Sequence, residues 1–154
     1  MDPKPRIRNS AKAVIVHEGR VLLTRNLWEG QERHFLPGGG QRPGEALPDA
    51  VEREVLEETG LTVVADRLLF VHEKPYGHEG GQPVHRVEIT FLCTLTGSPE
   101  LPGGHNEDPE QLGLEWVPLG EVLTLRTLDP DYRERIAALE DGDTRGAVYL
   151  GRRG

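Results

Sequence analysis

GGQRPGEALPDAVEREVLEETGL occupies residues 39 to 61 and combines the firmest helix signal of the chain with its densest acidic pattern. From Ala46 to Thr59 there is no glycine, and the single proline, Pro48, falls in the first turn, where a missing N–H costs little. Gly60 supplies the left-handed residue on which helices commonly end. The spacing predicts a helix over 46–59. Just upstream, Pro37-Gly38-Gly39-Gly40 stops any regular element, and consecutive glycines let the backbone approach a ligand closely.

At about 100° per residue, Glu54, Glu57 and Glu58 stand at i, i+3 and i+4 and share one arc of the helix. Leu47, Ala50 and Val51 lie on the same arc, so the three carboxylates are expected to turn inward. Like charges at this spacing cost roughly 0.2–0.5 kcal/mol per pair even when exposed, and burial adds to that. A hard divalent cation removes the conflict, because magnesium takes oxygen ligands and binds through a few carboxylates plus substrate phosphates. The plain alternative is a solvated acidic face with Arg53 pairing to Asp49 or Glu57, worth under about 1 kcal/mol per exposed pair. The glycine run and the inward placement weigh against it.

Outward from this stretch, Ala13–His17 and Val21–Arg25 are β-branched runs joined by Glu18-Gly19-Arg20, a hairpin pattern. Asn26 to His34 has no steady period and reads as an exposed loop leading to Phe35-Leu36. Leu61 to Glu73 reads as one long strand or two broken near Ala65-Asp66, and Lys74 to Pro83 as a flexible loop. Val87, Ile89, Phe91, Cys93 and Leu95 alternate with polar residues, the period of a strand with one buried face. After an acidic loop over 97–110, Leu112–Val117 is a short strand. Pro118–Leu123 and Pro130–Leu139 are helical, the second with Asp129 as N-cap. Ala147–Leu150 offers an edge strand. Strands mixed with two or three helices give an α/β sandwich. Residues 1–10 are expected to be a flexible tail, 11–140 a single domain, and 141–154 a weakly specified tail.

The 154 residues suit one domain with a real core. With 18 Lys and Arg against 26 Asp and Glu, the formal charge of -8 argues against affinity for a nucleic-acid polymer or an anionic membrane. An anionic ligand would need a bridging cation. Cys93 is the lone cysteine, which excludes an internal disulfide and a cysteine zinc cluster. No apolar run reaches the roughly 18 residues of a membrane span. The expectation is a soluble, cytoplasmic protein.

The stretch resembles the signature box of the Nudix hydrolases: Gly39, Glu45, Arg53, Glu54, Val55, Glu57, Glu58, Gly60 and Leu61 fill all nine fixed positions over 23 residues. The resemblance implies a Nudix-type α/β/α sandwich with a mixed central β-sheet, and hydrolysis of a nucleoside diphosphate linked to another group. It assigns Glu54, Glu57 and Glu58 to Mg2+ or Mn2+, with the Gly39 region offering a carbonyl ligand. Arg53 becomes an orienting partner, Glu45 a brace of the loop, and one box glutamate or a later one the base on the attacking water. It also implies a homodimer, on which the residue pattern is silent.

Chemistry supports the same reading. Metal ions neutralise and orient a pyrophosphate and lower the pKa of bound water, and a carboxylate within hydrogen-bond reach then takes the proton. For a catalytic glutamate beyond the box, Glu110 is the first candidate, with Glu107 and Asp108 beside it; an acidic solvent loop is the alternative. Arg25, Trp28, His34 and Phe35 precede the glycine loop, where a base stacks or a phosphate is held. Arg86 and Glu88 could reach a ribose or phosphate from the polar face of their strand. The expected function is a Mg2+-dependent pyrophosphohydrolase acting on a nucleoside triphosphate or another nucleoside diphosphate derivative, a small-molecule substrate. The alternatives are an ADP-ribose or nucleotide-sugar pyrophosphatase, a Nudix-like sensor that binds nucleotide without cleaving it, and an acidic interaction domain.

Overall fold

The computed structural model describes residues 4–101, 111–143 and 145–151. Two β-hairpins start the chain: β1 (Arg6–His17) with β2 (Arg20–Trp28), and β2 with β3 (Gln31–Phe35). Both close on a Glu-Gly pair with positive φ, Glu18 at 50° and Gly19 at 75°, then Glu29 at 50° and Gly30 at 76°. Two successive positive φ values give the turn whose twist matches that of paired strands. The expected loop over 26–34 is therefore a second hairpin. The expected tail also shortens, since Arg6–Ser10 already forms β1, in parallel register with Val84–Glu88.

The glycine run forms the three-residue strand β4 (Gly38–Gly40), antiparallel to Ser10–Lys12. Helix α1 (Leu47–Thr59) follows, with Pro48 in its first turn and Gly60 at φ 76° donating its N–H to Leu56 O at 2.9 Å. Next come β5 (Val63–Glu79) and β6 (Gln82–Leu95), antiparallel to each other across a Gly80-Gly81 turn. The expected loop over 74–83 is thus strand for most of its length, because pairing with β6 supplies what Gly77 lacks locally. β5 runs unbroken past Ala65-Asp66, though its register shifts there.

β7 (Gln111–Pro118) pairs antiparallel with β2, and a 3-10 turn covers Leu119–Thr124. The expected helix over 130–139 is broken into a 3-10 turn at Pro130–Tyr132, the short α2 (Arg133–Ala137), and a 3-10 turn at Ala138–Asp141. Asp129 does cap it, its Oδ1 accepting from Asp131 N at 2.9 Å. β8 (Val148–Tyr149) adds to the edge of β5 in parallel. The buried Arg135 secures the segment before β8 through Asp143 and the carbonyls of Arg145 and Gly146.

Strand order is β3-β2-β1-β6-β5-β8, mixed in direction, with β4 paired to β1 and β7 to β2. One face packs on α1 through Ala11, Ile15, Val51, Val55, Val63 and Cys93. The other packs on the C-terminal helical segment through Val14, Phe70, Val122, Leu128, Tyr132 and Ile136. Helices on both faces of a mixed sheet make the α/β/α sandwich. Thr90, fully buried, shows that β6 has cover on both faces, where its polar alternation suggests only one. Burial pushes the Cys93 thiol up to about 12, so it is an inert core residue. Among the described residues no helix is long and apolar enough to cross a membrane.

Candidate active site

Helix α1 seats itself on the sheet by Ala50, Val51, Val55 and Thr59. Glu54 and Glu58 share one side of that face, whereas Glu57 falls just outside it. Glu54 and Glu58 lie on its flank, half-buried against β4, and Glu57 stands at the rim with 51% of its side chain exposed. The expected inward turn therefore holds for two acids and fails for the third, because the buried arc is narrow and centred on the valines.

The glycine strand explains the flank. Gly38 N–H donates to Glu58 Oε2 at 2.9 Å. A Cβ on Gly39 would come within 2.6 Å of the Glu54 carboxylate, so that carboxylate rests directly on the backbone of β4. At Gly38, φ is 141° and a Cβ would meet Ala11 O at 2.2 Å. Each glycine has its own reason: one lets β4 lie close against β1, the next makes room for a carboxylate.

Arg53 is the hub. Its Nε donates to Glu45 Oε2 at 2.7 Å, Nη1 to Glu54 Oε1 at 2.9 Å and to Glu57 Oε2 at 3.1 Å, and Nη2 to Glu45 Oε1 and Gly40 O, both at 3.0 Å. The Arg53 bonds hold the Glu45 carboxyl down at about 2, so it is ionised throughout the ordinary pH range. The same bonds push the Arg53 guanidinium well above its usual value. One cation thus orients three carboxylates and ties the loop after β4 to α1.

Beside Glu58 opens a cleft of about 200 Å³ whose walls include Lys12, Trp28, Phe35 and Arg86. Trp28 and Phe35 meet edge to face with ring centroids 6.0 Å apart. Thr24 and Asn26 complete the wall, Asn26 Nδ2 donating to Thr24 Oγ1 at 2.7 Å. The structure therefore groups Trp28, Phe35 and Arg86 with a box glutamate. Arg25 lies apart, its Nε donating to Glu32 Oε1 at 2.9 Å on the exposed side of the hairpin.

His34 is buried, with Nδ1 2.6 Å from Thr127 Oγ1 and Nε2 2.9 Å from Glu115 Oε2. Period two puts it on the opposite face from Phe35. Glu88 lies on β6 two residues beyond Arg86, half-buried, between Ser10 and His72 in register. Glu107, Asp108 and Glu110 fall outside the described residues. Lys12 is the cleft residue that sequence reasoning passed over; a single cation in an apolar strand, Ala11-Lys12-Ala13-Val14, was the signal.

A second group, His72, Asp129 and Asp131, brings one ligand atom from each within 4.8 Å of the others. His72 Nε2 lies 3.0 Å from Asp131 Oδ2, while its buried Nδ1 has no partner. Ligating imidazoles almost always anchor the other nitrogen, so this geometry suits an imidazole hydrogen-bonded to Asp131 better than a metal ligand. Lys74 Nζ already sits 2.5 Å from Asp129 Oδ2. Burial works to raise the Asp129 carboxyl, and the Lys74 ammonium and Asp131 N–H outweigh it, leaving the carboxyl lowered.

A family model described as the NUDIX domain matches residues 6–139. The chain is 33% identical over 105 residues to the 8-oxo-dGDP phosphatase NUDT18 of Homo sapiens, covering 68% of this chain and 30% of that protein. It is 30% identical over 106 residues to an ADP-ribose pyrophosphatase of Methanocaldococcus jannaschii, covering 68% of this chain and 61% of the relative. The chain thus spans less than two thirds of the length of either. Among solved structures, the MutT protein from Methanosarcina mazei Go1 superposes with a TM-score of 0.68 at 25% identity, covering 94% of this chain and 100% of that one. With the complete glutamate box in place on a mixed sheet between helices, the chain belongs to the Nudix hydrolase family.

Proposed function

We propose that the protein is a Mg2+-dependent pyrophosphohydrolase that cleaves the diphosphate linkage of a nucleoside triphosphate or another nucleoside diphosphate derivative. The observation that carries the reading is the gathering of Glu54, Glu57 and Glu58 at one edge of α1, with Glu58 lining a cleft that also holds two cations and an aromatic pair. Glu54, Glu57, Glu58 and the Gly39 carbonyl would hold the metal. All are hard oxygen donors, which is the set magnesium prefers, and two of the carboxylates are already positioned by β4. When bound, the ion neutralises phosphate charge and acidifies water.

The chain's own residues do the rest. Arg53 holds Glu45, Glu54 and Glu57 in one array, so that ligand positions are set before substrate arrives. Glu54, Glu57 or Glu58, or the later Glu110, takes the proton from the attacking water. Trp28 and Phe35 offer an apolar wall to a base, and Arg86 a charge to phosphate. The relatives' names span an 8-oxo-dGDP phosphatase and an ADP-ribose pyrophosphatase, which supports a nucleoside diphosphate derivative as the substrate class. Cys93 is the lone cysteine of these 154 residues, so the fold uses no internal disulfide, which favours a reducing compartment such as the cytoplasm.

The test is a panel of nucleoside triphosphates, oxidised nucleotides, ADP-ribose, nucleotide sugars, dinucleotides and coenzyme A, with magnesium and with manganese, products identified by mass. Metal-dependent cleavage at a diphosphate linkage is expected. Tight binding of a panel member with no product from any would replace this reading with a nucleotide sensor.

A further inference from the structure

Lys12 stands on β1 directly opposite Gly38 on β4. The two sit so close that a Cβ on Gly38 would come within 3.0 Å of Lys12 Cδ. Gly38 is also the residue whose N–H holds Glu58. The lysine stem and the Glu58 carboxylate therefore flank one glycine, and both line the same cleft.

Lys12 is only weakly engaged. The acceptor recorded for its Nζ among the described residues is Leu36 O at 3.5 Å, the outer limit of a hydrogen bond. Arg86 shares the cleft, and its Nη2 lies 3.9 Å from Glu79 Oε2, a carboxylate whose hydrogen bond goes to Arg8 instead. Two loosely held cations thus face a box glutamate in a chain of net charge -8. Such cations cost desolvation and need an anion in return.

Position identifies the anion. The cations lie in the cleft that also holds Trp28 and Phe35, the wall suited to a base, and Glu58 lines it as well, on the same glycine as Lys12. A phosphate between base and glutamates is the one that stays on the nucleoside.

We propose that Lys12, with Arg86, is the binding site for the phosphate on the nucleoside side of the scissile linkage. The assignment of that phosphate rests on the pyrophosphohydrolase reading. A lysine acts there as a point charge with rotatable donors, so it accepts different bases and demands only the phosphate.

The experiment measures binding of AMP, GMP, CMP and UMP, and of the matching nucleosides, by calorimetry with magnesium present. Wild type is expected to bind at least one monophosphate more tightly than its nucleoside. Lys12→Met and Arg86→Gln should each weaken that monophosphate roughly ten- to hundredfold and leave the nucleoside unchanged, with Lys12→Arg restoring most of the loss. Melting curves of both variants separate this from misfolding, and Arg86→Gln stands in if Lys12→Met does not fold. Equal monophosphate affinity in wild type and both variants, or no monophosphate bound by wild type, overturns the site. Monophosphates have no diphosphate linkage to cleave, so the outcome is independent of turnover: Lys12-dependent binding with no product from the nucleotide panel would leave the anion site standing and remove the hydrolase reading.

Discussion

Arg53 grips Glu45 through two parallel hydrogen bonds, Nε to Oε2 at 2.7 Å and Nη2 to Oε1 at 3.0 Å. The pair joins the loop after β4 to the middle of α1, eight residues on, and Glu45 Oε1 also accepts from Arg42 N at 3.1 Å. Planar, bidentate geometry of this kind is specific to arginine.

Because the bond to Arg53 lowers the Glu45 carboxyl to about 2 from an ordinary value of 4.5, folding stability from this pair depends on pH. A depressed folded value means that the contribution is complete above the unfolded value and is lost as pH falls toward the folded one. Wild type should therefore melt above Glu45→Gln at pH 6 to 7, with the gap shrinking between about pH 4.5 and pH 2. Thermal melts at a series of pH values check it. A gap that stays constant across that range would show that the charge of Glu45 contributes nothing.

Gly38 and Gly39 are neighbours with different duties, and alanine should separate them. At Gly39 the new methyl meets the end of the Glu54 side chain at 2.6 Å, which can swing away without moving backbone. At Gly38 it meets Ala11 O at 2.2 Å and Lys12 Cα at 2.8 Å, in a backbone conformation with φ of 141° that alanine resists. Gly39→Ala should keep the melting temperature within a few degrees and lose turnover by tenfold or more, whereas Gly38→Ala should lose stability as well, by roughly 2–4 °C for each kcal/mol of strain. Equal loss of stability in both variants would break the distinction.

The parts legible in the sequence are those set by neighbours along the chain. Pro48, the glycine-free run and Gly60 placed α1 correctly, and the spacing of Glu54, Glu57 and Glu58 marked the acidic edge. What escaped depends on partners far away in sequence. β3 has an exposed, charged pattern because it is an edge strand, which hid the second hairpin although Glu29-Gly30 repeats the turn of Glu18-Gly19. Lys12 gained its meaning only when β1 paired with β4 on one side and β6 on the other. Glu57 looked inward on a helical wheel that could not know how narrow the contact with the sheet would be.

His34 illustrates the same limit and gives a test. Its position just before Phe35 suggested a ligand contact, yet its ring bridges Thr127 and Glu115, and its N–H donates to Thr127 O at 3.0 Å. Replacing it with alanine leaves the half-buried Thr127 hydroxyl without its partner and removes a buried ring, at about 1–2 kcal/mol. The melting temperature should drop by roughly 2–8 °C for a chain of this size. The KM for any substrate found should hold steady. A raised KM with an unchanged melting temperature would return His34 to the cleft.

Glu57→Gln is the sharpest test of the acidic edge. Glu57 is half exposed, and its partners are Arg53 Nη1 at 3.1 Å and the more distant Arg42 Nη2 at 3.7 Å. A glutamine keeps the shape and loses only the charge, so the fold should be untouched. As a ligand or base, its carboxylate should be worth at least two orders of magnitude in turnover, the usual scale for a positioned acid–base group. Glu52→Gln, on another side of the same helix, provides a matched control that removes one charge from α1 without touching the array. If both variants turn over substrate alike, the glutamates are a solvated face and the chemistry lies elsewhere.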